Sequence, residues 1–95
     1  MSVKEEYQKK LQDELDEWGK EIDKLKVVAD KAKSGLQKEY HKEIEELRDH
    51  QAAAQGKLHE LKEESEDAWE DLREGIELAW AALGQALKSA ASRFK

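Results

Sequence analysis

The side chains of this 95-residue chain that could do chemistry are its histidines, serines, carboxylates and tryptophans. His41, His50 and His59 stand nine apart. Nine residues rotate an α-helix by about 900°, so neighbouring histidines face opposite sides and cannot share one metal ion. Neither the HExxH pattern nor the ExxH pairing of di-iron bundles occurs, and no cysteine is present to act as ligand, nucleophile or disulfide partner. The expectation is solvated surface histidine, with no metal and no other cofactor. Ser2, Ser34, Ser65, Ser89 and Ser92 have no histidine at helical contact distance, and no glycine-rich phosphate loop exists. Carboxylates abound, but a general acid needs a shifted pKa inside a cleft, which a narrow helical stripe does not build. A non-enzymatic protein is expected.

The carboxylates do cluster. Residues 60–77 hold Glu60, Glu63, Glu64, Glu66, Asp67, Glu70, Asp71, Glu74 and Glu77 against Lys62 and Arg73 alone. Like-charged pairs four apart, such as Glu60/Glu64, Glu63/Asp67 and Glu66/Glu70, each cost about 0.2–0.5 kcal/mol. Something basic is therefore expected alongside: lysines of another helix, a divalent cation or a basic partner protein. The EF-hand loop pattern is missing. The chain as a whole carries 23 acids, 17 bases and a formal charge of −6, which repels a phosphate backbone and argues against nucleic acid. Residues 78–95 reverse the sign, with Lys88, Arg93 and Lys95 and no acid.

Trp18, Trp69 and Trp80 sit on the apolar stripe, where core packing with the indole N–H at the rim is the expected role. The other reading is insertion at a lipid interface by Trp80, Leu83, Leu87 and Phe94, opposite Lys88, Arg93 and Lys95. The first residues lack the apolar run of a signal peptide, and no window approaches the ~18 apolar residues of a spanning helix. A cytoplasmic location is the resulting expectation.

The elements that carry these residues are helical. Charged residues make up 42% of the chain, proline is absent, and strong helix formers dominate. Apolar residues recur every three or four positions: Val3, Tyr7, Leu11, Leu15, Trp18, Ile22, Leu25, Ala29, Leu36, Tyr40, Ile44 and Leu47, resuming at Ala54, Leu58 and Leu61. Leu25, Leu36, Leu47, Leu58, Trp69, Trp80 and Ala91 fall 11 apart, a period close to the natural twist, so the helices should be nearly straight. In the C-terminal arm Ala68, Trp69, Leu72, Ile76, Ala79, Trp80, Leu83, Leu87, Ala90 and Phe94 cover roughly 140° of the helix circumference. One neighbouring helix cannot cover that face. It demands a third helix, a second copy or a non-protein apolar surface.

One unbroken helix would be roughly 140 Å long, so the chain must turn. The stripe is weakest around Gln51 to Ala54, and Gln55-Gly56 follows. A turn at about 50–57 also lays the acidic 60–77 against residues 25–42, where Lys26, Lys31, Lys33, Lys38 and Lys42 outweigh Asp30 and Glu39. The first expectation is thus an all-α single domain over 1–95: an antiparallel hairpin with arms 3–50 and 57–94, dimerising to a four-helix bundle. The alternative is a three-helix, spectrin-like bundle. It would break at Ser34-Gly35, with the glycine at the left-handed C′ position, and at Ser65, which reads as an N-cap followed by Glu66 and Asp67.

Leu11 to Leu25 around Trp18, Ala68 to Trp80, and the ending Ala90-Ala-Ser-Arg-Phe-Lys95 together resemble the small bacterial coiled-coil-domain proteins of cyanobacteria and proteobacteria. These are often described as stress-response or apolipoprotein-like. The resemblance implies a helical, stress-associated protein and carries over no catalytic residue. The functional expectation is a helical interaction protein that self-assembles through Trp69, Leu72, Ile76, Trp80, Leu83, Leu87 and Phe94. Two alternatives stand beside it: docking of the same helix on a membrane surface, and capture of basic proteins by the acidic patch.

Overall fold

The apolar stripe folds into three helices. The structure, a computed structural model, describes residues 2–94. Helix α1 runs Val3–Lys31, α2 Ser34–Glu63 and α3 Glu70–Arg93, and no strand occurs among the described residues. At the start of α1 the Ser2 hydroxyl accepts the Glu5 N–H at 3.2 Å, and Glu5 and Glu6 face the positive end of the helix dipole. The chain leaves α1 through Ala32 and Lys33, both extended, with ψ of 157° and 146°. Two consecutive extended residues are enough to reverse direction. The Gln37 side-chain amide then reaches back to the Asp30 carbonyl at 2.9 Å and ties the corner.

The second corner is built on Ser65. Its carbonyl accepts N–H groups from Ala68 at 3.3 Å and Trp69 at 3.2 Å, winding a turn that leads into α3. Glu66 and Asp67 lie in that turn, and Glu70 and Asp71 in the first turn of α3. The break falls where Ser65 is expected to put it, but Ser65 is not the N-cap: it contributes only its backbone carbonyl, and α3 starts after Trp69 without a side-chain cap.

The helices lie side by side in a rod of 52 × 20 × 18 Å, with α1 and α3 parallel and α2 antiparallel to both. One core runs its length, and its buried members are almost all on the stripe: Leu11, Leu15, Ile22, Leu25 and Ala29 from α1, Ile44, Leu47, Ala54, Leu58 and Leu61 from α2, then Trp69, Ile76, Trp80, Leu83, Leu87, Ala90 and Phe94. An aromatic pair closes each end. Tyr7 and Trp69 meet at 5.4 Å between ring centroids, and Tyr40 stacks on Phe94 at 4.3 Å. Large and small residues alternate in between. The Trp18 ring lies against Gly84, where an added Cβ would come within 3.4 Å, and Gly19 makes room for the Gln51 amide.

The expected hairpin is thereby corrected. Residues 50–57 are continuous helix inside α2, because Ala52, Ala53 and Ala54 favour it and the gap in the stripe is the place where Gln51 packs on Gly19. The three-helix alternative describes the arrangement. Its first break, however, lies at Ala32-Lys33, and Gly35 belongs to the first turn of α2. No glycine among the described residues has positive φ, so the left-handed C′ position expected for Gly35 is not used.

Gly56 faces open space in a helix interior. Gly56→Ala is therefore expected to stabilise the chain by about 1 kcal/mol, whereas Gly84→Leu, which would displace Trp18, is expected to cost about 1–3 kcal/mol. Urea unfolding followed by circular dichroism checks both.

Candidate functional site

Helix α3 carries most of the residues marked by the sequence, and the fold places them in two different settings. Trp69, Ile76, Trp80, Leu83, Leu87 and Phe94 point inward and are buried against α1 and α2, with Leu72 packed at the edge of the same core. The third-helix solution to the wide apolar face is the one adopted. Trp80 is 6% exposed, and its indole Nε1 makes no hydrogen bond within the chain, contrary to the rim position expected for it.

The acidic residues gather at the end of the rod where α2 passes into α3. Local partners there are few and exposed: Lys57 with Glu60 at 3.8 Å, His59 with Glu63 at 3.9 Å, and Arg73 with Glu77 at 3.2 Å. Lys4 reaches across from α1, but to the Glu64 backbone carbonyl. The lysines of 25–42, expected alongside, lie at the opposite end, where α1 passes into α2. This is a second correction, and it follows from the first, because moving the turn moves the lysines. Among the described residues the acidic end is left short of counter-charge.

Tyr7 belongs to that end. The Arg73 guanidinium carbon sits 5.3 Å from its ring centre, while Glu77 and Glu14 stand nearby. Burial, then the negative charge of Glu77, raise the phenol above its ordinary pKa, and Arg73 opposes them. The histidines are scattered as their spacing requires. His41 Nε2 meets Asp30 Oδ1 at 3.1 Å near the first corner, His59 meets Glu63, and His50 borders a groove between α2 and α3 with Glu43, Glu46 and Arg93. Among the described residues no three His, Asp or Glu side chains gather as a metal site. No helix among them is long and apolar enough to cross a membrane.

Leu36, placed on the apolar stripe by its spacing, is not buried, and neither are Val27 and Val28 across the corner. Val27, Val28 and Leu36 are 51%, 39% and 41% exposed, at the lysine-rich end. Val28, Ala32, Leu36 and Tyr40 line a shallow apolar concavity there, with Lys31 and Lys33 at its border. The available signal was the Val27-Val28 pair, since adjacent helical residues cannot both lie on one narrow stripe.

Comparison with protein-family models, with curated proteins and with solved structures finds no match to this chain.

For a group whose folded pKa is raised, the folded state loses stability as pH climbs from the ordinary value through the raised one. Stability should thus decline above about pH 10, and Tyr7→Phe should flatten that decline and remove the late-ionising component from an ultraviolet titration of the tyrosines.

Proposed function

We propose that this chain is a non-enzymatic helical interaction protein that works as a closed three-helix bundle and meets its partners through its charged exterior. The observation that carries this reading is the burial of the α3 face inside the chain's own core. Offering Trp69, Ile76, Trp80, Leu83, Leu87 and Phe94 to another molecule would mean withdrawing them from α1 and α2. At roughly 1.5–3 kcal/mol per large side chain, that costs on the order of 10 kcal/mol, comparable to the whole stability of a domain this size. A homo-oligomer built on this face, including the four-helix dimer, is therefore a state reached only by exchanging α3 between copies. The same cost opposes membrane docking by α3. The resemblance to stress-associated coiled-coil proteins is in keeping with a non-catalytic helical role.

Sedimentation equilibrium with circular dichroism over a wide concentration range tests this. A compact monomer whose helicity does not change on dilution is expected. A dimer that loses helicity when diluted would return the α3 face to the interface between copies.

The uncompensated acids favour a second reading within the same class, in which the α2–α3 end captures a basic protein segment. Glu66, Asp67, Glu70 and Asp71 are all exposed. Reversing these four to lysine should abolish binding of a lysine-rich peptide in titration calorimetry while leaving helicity intact. Retained binding would refute this reading.

A further inference from the structure

The end of the rod where α1 passes into α2 combines two properties that elsewhere in the chain occur apart. Lys26, Lys31, Lys33, Lys38 and Lys42 are exposed and outweigh Asp30 and Glu39 by a net of +3, in a chain whose total is −6. Among the described residues none of these five lysines makes an ion pair within 4.0 Å; Asp30 is taken by His41. Three of the five exposed large hydrophobics of the described chain, Val27, Val28 and Leu36, stand among them. Burying charge-rimmed apolar side chains of this kind requires a partner that is both anionic and greasy just beneath its charges.

We propose that this end of the bundle docks on an anionic lipid bilayer, with the lysines at the headgroups and Val27, Val28 and Leu36 in the interface below. The shape agrees. The end of a rod 20 × 18 Å in section is small enough to meet a flat surface as a whole, and all five lysines lie within about nine residues of Lys33, or ~14 Å along the axis. Electrostatics fixes the direction. The bilayer's negative potential attracts the lysine end and repels the acidic α2–α3 end whenever either comes within a screening length of the surface, so the bundle meets the bilayer by this tip. The other exposed hydrophobics, Val3 and Leu78, lack such a lysine collar. The acidic end of a second copy would match the charge of the tip, but the exposed large hydrophobics near it are only Val3 and, eight residues into α3, Leu78, both set among acids.

The proposal rests on the closed bundle, since only there do the two corners stand at opposite ends, and its test separates the two ideas. Trp18, Trp69 and Trp80 all lie away from this tip. Co-sedimentation should show binding to vesicles of phosphatidylcholine with about one-third phosphatidylglycerol, and not to phosphatidylcholine alone. Lys31→Glu/Lys33→Glu/Lys38→Glu should weaken it on the order of a hundredfold, given about fivefold per lysine at an anionic surface. Because the chain has no cysteine, an environment-sensitive thiol probe on Leu36→Cys reads the tip alone. Its emission should shift to the blue on docking while native tryptophan emission stays unchanged. A tryptophan blue shift on binding would mean that α3 has opened, overturning both this proposal and the closed bundle. Binding that survives the lysine reversals, or no binding to anionic vesicles, overturns the tip proposal alone. Salt-sensitive oligomers without vesicle binding would assign the tip to the acidic end of a second copy.

Discussion

The width of one helix face governs this molecule. The apolar residues of α3 cover too much of its circumference for one neighbour, so the helix must lie in a groove between two. The chain supplies both from itself. Once α1 and α2 form that groove, the corners have to fall near residues 32 and 65, which sends the acidic and basic segments to opposite ends of the rod. The charge separation of the exterior is thus a consequence of what the core requires.

Much of this was legible in the sequence. The three-and-four spacing marked the core nearly residue by residue, from Leu11 to Phe94, because burial on helices leaves a period that polar substitutions cannot disguise. The breadth of the C-terminal face announced more than one neighbour. Ser65, with acids after it, marks the second corner by position, although the turn there is wound on the Ser65 backbone carbonyl rather than on its hydroxyl.

Two features of the sequence point to the wrong turn. Glycine reads as a helix breaker, yet Gly35 and Gly56 are both helical and face open space, where they cost only about 1 kcal/mol each. The real first corner is made by Ala32 and Lys33 in extended backbone, and neither residue type advertises a turn. Charge complementarity between 60–77 and 25–42 was the other guide. Exposed ion pairs contribute about 0–1 kcal/mol, whereas each large side chain buried in the core contributes about 1.5–3 kcal/mol. Where the two preferences conflict, packing sets the topology and the charges go where they are carried. The exposed patch is hidden in the sequence for a related reason: Val27 and Val28 lie off the stripe, and Leu36 continues its spacing but stands in the first turn of α2, beside the corner.

The central claim is that α3 packs on α1 and α2 of its own chain. Electron–electron distance measurement between spin labels on Lys42→Cys and Ser92→Cys tests it most directly, in a sample diluted with unlabelled chain so that only pairs within one molecule count. In the bundle Arg93 meets Glu43, so the two labels sit on adjacent helices at the same level and should be roughly 20 Å apart or less. A separation of roughly 40 Å, as a hairpin turning near residue 53 would give, or the loss of the short distance on dilution with unlabelled chain, would contradict the account.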